Sequence, residues 1–484
     1  MAQSSDPLAH RSDLGEALDL AHQAALAYLA ELDEHDVHSG AADAAAERFS
    51  GALPETGMGA VAAVQRLVTD GLAAANRTSG PRMFHFVTGG VTPAALAADW
   101  LTSTIDQNAF SWVNSPLASR LEQISIDWLK ELFGLPASWA GVLTTGATMA
   151  NFSALAAARH WCGLRYGIDV EEQGLDALPH PITVLTGGYF HSSALKAVGM
   201  LGIGRGNVRR FSLDASGRLD LAALETALVA LGDRPVILAA TAGDVDTGAF
   251  DPIAPMAELA ERHGAWLHVD GAFGLFAGAS PTSAHLLDGV DRAHSVIADG
   301  HKWLNVPYDC GFAFVRDPQL LGRTFAAGAA YLPRVDDPRP NFGYQGPEMS
   351  RRARALPVWA TLAAYGRQGY RQMVERHLAL AGHLAANVDA APDLERLAEA
   401  PLDIVCFRYR PDGLDAEALD TLNRSLGARV LEDGLVYVGQ TVHRGVVCFR
   451  PAIVNWMTTE DDIGELVAVI RELGATVAPG AAPD

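Results

Sequence analysis

The chain has 484 residues, 49% of them hydrophobic and 19% charged, with a formal net charge of −21. That length asks for two or three packed units, and that composition fits a globular enzyme rather than a disordered chain. A surface this acidic argues against nucleic acid or an anionic membrane as the main partner, while leaving room for an anionic small ligand at a local positive site. The four cysteines, Cys162, Cys310, Cys406 and Cys448, show neither zinc spacing nor a disulfide framework. The N-terminal stretch lacks a basic and then apolar leader, and no apolar run is long enough to span a bilayer, so the expectation is a cytoplasmic protein with no membrane partner.

In chain order, Leu14, Leu18, Ala21, Ala25, Leu29 and Leu32 recur at helical spacing and predict an opening amphipathic helix. A polar loop is expected over 36–57. From residue 140 short apolar runs alternate with helical patterns: AGVLTT (140–145), ITVLT (182–186), VILAAT (236–241), AWLHV (265–269), HSVIA (294–298) and GFAFV (311–315). Continuous apolar runs of this kind predict an α/β fold with a mostly parallel sheet covered on both faces. The Pro-, Gly- and charge-rich residues 333–350 predict a long, mobile surface loop. Helices follow, then LDIVCFRYR (402–410), GVVCFRPAI (445–453) and a capped helix in TTEDDIGELVAVIRELG, which together predict a small α+β unit.

Three segments fall at the carboxyl ends of the predicted strands, where open α/β sheets hold their ligands. In TTGATMAN (144–151), Gly146, Ala147 and Thr148 turn from strand into helix; small residues there let backbone N–H groups approach an anion. Thr148 also fits as an N-cap, and an ordinary capped helix start is the plain alternative. In HVDGAFG (268–274), Asp270 is a turn-former or the partner of a buried cation. His268 and Asp270 lack a third ligand at sensible spacing, so no metal is expected. In DGHKWLNVPYDCG (299–311), Lys302 follows an apolar strand; it is a snorkelling surface lysine or a desolvated, nucleophilic amine. Together the three fit pyridoxal 5'-phosphate, which needs a lysine for its aldehyde, an acid for its pyridine nitrogen and an anion site for its phosphate.

The blocks PRMFHF, FSWVNSPLASRLEQISIDWL, TTGATMANFSALAAAR, HSSALKA, TAGDVDTGAFDPI, WLHVDGAFG, DGHKWLNVPYDCG and FRPAIVNWMTTEDDI occur in that order. In these the chain resembles the group II pyridoxal-phosphate-dependent amino acid decarboxylases, which include aromatic amino acid, glutamate and diaminobutyrate decarboxylases. The resemblance implies the fold-type I, aspartate aminotransferase-like architecture and a homodimer with shared active sites. It divides the chain into an N-terminal helical segment packing on the partner subunit (1–85), a large cofactor-binding domain (86–360) and a small α+β domain (361–484). Residue by residue, it makes Lys302 the Schiff-base lysine, with His301 beside it at the phosphate. Asp270 becomes the pyridinium partner with Ala272 under the ring, and Gly146, Ala147 and Thr148 become the phosphate turn. His191 would stack on the ring, although the residues alone read it as a helix-start histidine. Asp244 would stand near a cofactor oxygen, where the family more often has a small polar residue. Phe84 and Phe110 would line the substrate pocket, and Arg450 would meet the substrate carboxylate. Tyr344 is the matching proton donor, with Tyr331 and Tyr308 as the other tyrosines to weigh. The implied reaction is decarboxylation of an L-amino acid through an external aldimine and a quinonoid to an amine. Oxidative deamination to an aldehyde, or transamination, stand as alternatives.

Overall fold

The apolar runs become strands because each is short, rich in Val, Ile, Leu and Ala, and bounded by turn residues. In chain order the strands are β1 (Met83–Phe84), β2 (Ala140–Thr144), β3 (Thr183–Thr186), β4 (Val208–Arg210), β5 (Val236–Thr241), β6 (Trp266–Asp270), β7 (Ser295–Asp299), β8 (Gly311–Val315), β9 (Leu394–Arg396), β10 (Phe407–Tyr409), β11 (Tyr437–Val438), β12 (Gln440–His443) and β13 (Val446–Phe449). This computed structural model describes residues 11–212, 219–335 and 337–477, so the expected end segments 1–85 and 361–484 reach at their extremes into residues outside those described.

Seven strands form one sheet in the order β2-β8-β7-β6-β5-β3-β4. β8 pairs antiparallel with β2 and β7, and the other pairings are parallel. Only β8 therefore runs against the rest. The carboxyl ends of β2, β5, β6 and β7 share one edge with the start of β8. β4 has no apolar run to announce it; it is the short edge strand VRR, with both arginines exposed. Helix Ala147–Leu164 lies close on the sheet because Ala150, Ala154, Ala157 and Ala158 are wholly buried and carry no bulk.

A second core joins Phe84, Leu384, Phe407, Phe449 and Ile470. Here β12-β13-β10-β9 form an antiparallel sheet backed by helices Ala416–Asp433 and Glu460–Thr476, the latter opened by a Thr459/Asp462 capping box. Helix Ala355–Ala390 runs from the large core into the small one and kinks at Gly366, where φ is 59°. The expected boundary at 360 thus falls inside a helix. Among the described residues no helix is long and apolar enough to cross a membrane.

Two loop expectations are corrected. Residues 36–57 contain a helix, Ala42–Glu47. Residues 341–344 of the expected surface loop are buried. The reason is Arg351, whose guanidinium reaches inward to Glu122 (2.6 Å and 3.0 Å), the Leu143 carbonyl (2.8 Å) and the Ala109 carbonyl (2.9 Å). Both oxygens of that carboxylate are engaged, and the segment before Arg351 is drawn down with it; Phe342 lies 6.0 Å from the guanidinium. Glu122→Ala strands a buried guanidinium. We expect a loss of about 3–5 kcal/mol in urea unfolding, and a loss under about 1 kcal/mol would contradict this account of the loop.

Candidate functional site

β7 ends on Asp299, and the chain turns through Gly300 and His301 into Lys302. Gly300 is required there, because a Cβ would stand 2.6 Å from the Cys310 sulfur. The turn is clamped by Asn305. Its Nδ2 donates to the carbonyls of Trp303 and Val454, both at 2.9 Å, while its Oδ1 accepts from the N–H groups of Gly90 (2.9 Å) and Trp456 (3.0 Å). Gly89 donates to the His301 carbonyl at 3.1 Å. Trp303, wholly buried, donates to His377 at 2.8 Å. Three distant segments thus hold the lysine's backbone. Its Nζ stands 3.7 Å from Asp299 Oδ2 and 5.6 Å from the centre of the Phe273 ring.

Asp270, at the end of the neighbouring β6, is fixed by donors that all point one way. Trp266 Nε1 donates to Ser295 Oγ (2.9 Å), and Ser295 faces His268 Nδ1 (2.9 Å). His268 Nε2 faces Asn151 Oδ1 (2.8 Å), and Asn151 Nδ2 donates to Asp270 Oδ2 (3.0 Å). Burial pushes the His268 pKa down to about 4, so the ring is neutral. A neutral imidazole has one donor and one acceptor, and the chain is satisfied only with the proton on Nε2. The Ala272 N–H donates to Asp270 Oδ1 at 3.2 Å, and the Ala272 carbonyl accepts from Asp299 N at 2.8 Å.

Gly146, with φ of 145°, caps helix Ala147–Leu164 and leaves its first turn without a side-chain cap. Thr148 lies inside that turn and is not the N-cap expected of it, because the helix begins at Ala147. A Cβ on Gly146 would sit 3.4 Å from His301 Cε1 and 3.5 Å from Asp299 Oδ1, so the turn and the lysine loop enclose one small space. His301 stacks on Tyr308 (4.2 Å between centroids) and faces the Cys310 carbonyl at 3.0 Å.

The helix-start reading of His191 holds. It is the N-cap of helix Ser192–Met200, with Nδ1 accepting from Ser193 N–H at 3.2 Å. Desolvation lowers its pKa, and the charges of Asp270, Lys302, Arg450 and Asp299 all act on its ring, which places it among them. Arg450 is buried, burial lowers its pKa, and its Nη1 has no hydrogen-bond partner among the described residues.

Other expected residues lie elsewhere. Asp244 closes its own turn, accepting from the N–H groups of Asp246 (2.7 Å), Thr247 (3.1 Å) and Ala249 (3.3 Å). Phe84 is not at a pocket wall: it is 1% exposed in the small core, whereas Phe86 at φ 57° is 62% exposed. Phe110 packs edge-on against Tyr344 at 5.2 Å, and the Tyr344 hydroxyl donates to the Pro333 carbonyl at 2.6 Å. Among the described residues nothing brings that pair to Lys302. Tyr331, in the same loop region, is 85% exposed. Among the described residues His160, Asp169 and Glu171 gather three possible metal ligands, but Arg159 pairs with Glu171 at 2.9 Å and His160 lies near the end of the helix remote from Gly146.

Sequence reasoning misses Asp299, Asn151 and Asn305, and weighs His268 only as a metal ligand. A simpler signal is present: the sequence has three lysines, Lys130, Lys196 and Lys302. Lys130 is spent on the carbonyls of Ala137 (2.7 Å) and Trp139 (2.9 Å), and Lys196 is exposed on a helix. Only Lys302 stands at the carboxyl edge. The open helix turn, the anchored carboxylate of Asp270 and the orphaned Arg450 N–H form a donor set that pyridoxal 5'-phosphate fits: Lys302 could hold its aldehyde, Asp270 its ring nitrogen and the 146–148 turn its phosphate.

Comparison with known proteins agrees. Residues 63–410 match the pyridoxal-dependent decarboxylase conserved domain. The chain is 30% identical over 404 residues to an aromatic-L-amino-acid decarboxylase of Bacillus atrophaeus, covering 82% of each protein. It is 32% identical over 429 residues to an L-2,4-diaminobutyrate decarboxylase of Rhizobium meliloti (strain 1021), covering 87% of this chain and 83% of the relative. The structure of mouse CSAD in apo form superposes with a TM-score of 0.87 at 26% identity, over 97% of this chain and 99% of that one. The chain therefore belongs to the pyridoxal-phosphate-dependent amino acid decarboxylases, enzymes of the carboxy-lyase class.

Proposed function

We propose that the protein releases carbon dioxide from an L-amino acid and returns the amine, with the chemistry centred on Lys302 and Asp270. The observation that carries this reading is the one-way donor chain ending on Asp270 beside a clamped Lys302. Bound pyridoxal 5'-phosphate supplies an electron sink for the negative charge left at the α-carbon. Asp270, oriented by Asn151 and Ala272, would face the ring nitrogen and favour its protonated form. Lys302 would hold the cofactor's aldehyde through its amine until the substrate's amine takes its place. His191 covers one face of the site, and the unused N–H of Arg450 is available to a substrate carboxylate.

A tyrosine hydroxyl returns the proton to the α-carbon. Since the Tyr344 hydroxyl is committed to Pro333, we assign this to Tyr331, delivered from a second copy of the chain. A dimer is supported by helix Asp13–Ala30, which buries none of its residues and exposes Leu14, Leu18 and Leu26 at 66%, 56% and 56%. The rival outcome, oxidation to an aldehyde, follows if that proton is not delivered.

A screen of amino acids that scores carbon dioxide, amine, aldehyde and oxygen together tests the reading. Amine should match carbon dioxide one to one; oxygen uptake matching carbon dioxide would replace it by oxidative deamination. Tyr331→Phe should divert product toward aldehyde while Tyr344→Phe leaves the amine yield unchanged, and the reverse pattern would return the donor to Tyr344. Asn151→Leu removes a hydrogen bond to a charged group, about 1.5–3 kcal/mol. We expect kcat to fall about 10- to 150-fold with KM little moved, and an unchanged kcat would remove the donor chain from the mechanism.

A further inference from the structure

Asp299 has no part in the reading above, yet it stands in the middle of the site. It is 3% exposed. Its Oδ2 lies 3.3 Å from His301 Nε2 and 3.7 Å from Lys302 Nζ. Its Oδ1 is buried with no hydrogen-bond partner among the described residues, and it is aimed at the start of helix Ala147–Leu164, 3.5 Å from where a Gly146 Cβ would be. Apart from the Ala147 N–H nothing at the helix start serves this carboxylate, and a buried oxygen so poorly supplied is costly unless something completes it. The group expected at that helix start is a phosphate, which is itself an anion. Two anions in one desolvated space repel strongly unless a proton lies between them.

We propose that Asp299 binds the cofactor phosphate as the neutral acid, its Oδ1 carrying a proton donated to a phosphate oxygen, so that capture of the cofactor takes up a proton at this residue. This rests on the assignment of the phosphate to the 146–148 turn. The surroundings favour the uptake. Burial raises the Asp299 pKa, opposed by the positive charges of Lys302 and His301 and by the Ala147 N–H. Asp270, on the adjacent strand, raises it further. His191, Tyr308 and Cys310 also feel this carboxylate, and none of them supplies a compensating fixed cation: burial lowers the pKa of the first and raises those of the other two.

A carboxyl whose pKa is higher in the complex than in the empty site binds a proton on capture. Affinity is therefore level below the empty-site pKa, weakens as pH rises through the window between the two values, and is level again above it.

Purified holoenzyme is stripped of cofactor and titrated with pyridoxal 5'-phosphate, and in parallel with pyridoxal, by visible absorbance from about pH 7 to 9, where the free phosphate is already the dianion. The quantity read is the ratio of the pyridoxal Kd to the pyridoxal 5'-phosphate Kd, which cancels the protonation of Lys302. In the wild type the ratio should fall with pH, by up to about tenfold per unit. Asp299→Asn keeps the shape without the charge, and its ratio should be level and higher than wild type at the alkaline end; Asp299→Ser should behave likewise. Wild type and variants with the same profile would overturn the proposal, as would a folded Asp299→Asn that has lost its preference for the phosphorylated ligand. Should Lys302→Ala retain the wild-type visible band, the site assignment fails instead, and independently of Asp299.

Discussion

Two buried carboxylates, Asp270 and Asp299, end neighbouring parallel strands at one edge of the sheet, and the burial of both is the constraint around which the site is organised. Like charges this close are tolerated only if each has its own set of donors. Asp270 has the chain from Trp266 through Ser295, His268 and Asn151, together with the Ala272 N–H. Asp299 has Lys302 and His301. The division of labour follows from this. The first carboxylate is oriented by neutral hydrogen-bond donors, an arrangement that would suit a pyridinium. The second leans on the ammonium of Lys302 and on His301, an imidazole that burial pushes toward its neutral form.

The two packed units are tied together at the same place. Asn305 reaches from the lysine loop to Val454 and Trp456 after β13, and to Gly90 ahead of helix Pro93–Ile105. His377, from helix Ala355–Ala390, bonds both Trp303 and the Asn455 carbonyl. A loop that carries a reactive amine would otherwise be among the least stable parts of the chain. Here its backbone polar groups are satisfied by both units, so movement of the lysine side chain need not disturb the loop's backbone. Arg450 follows β13 and enters from the small unit, so both units border the site.

Much of this is legible in the sequence. The strand runs are readable because a buried parallel strand is a continuous apolar segment, and Lys302 and Asp270 are readable because each breaks such a run with a charge. What is illegible has a common cause. Asn151 meets Asp270 across 119 positions and His268 across 117, so neither spacing nor residue type announces the chain of donors. The resemblance makes Phe84 a pocket residue, and the neighbouring aromatics Phe84 and Phe86 give no sign in the sequence of which one faces inward. β1 is only two residues long, and its pairing with β11 decides it. Position alone favours Tyr344 over Tyr331, and its packing against Phe110 with a committed hydroxyl has no sequence signature. Asp299 attracts no notice beside the lysine, since a strand-end aspartate usually does no more than start a turn.

Which amine holds the cofactor decides the matter most directly. The protein as purified, reduced with borohydride, digested and mapped by mass spectrometry, offers three lysines to choose from. The pyridoxyl mass is expected on the peptide containing Lys302 and on neither of the others. The same mass on Lys196 or Lys130, with Lys302 unmodified, would contradict the central claim.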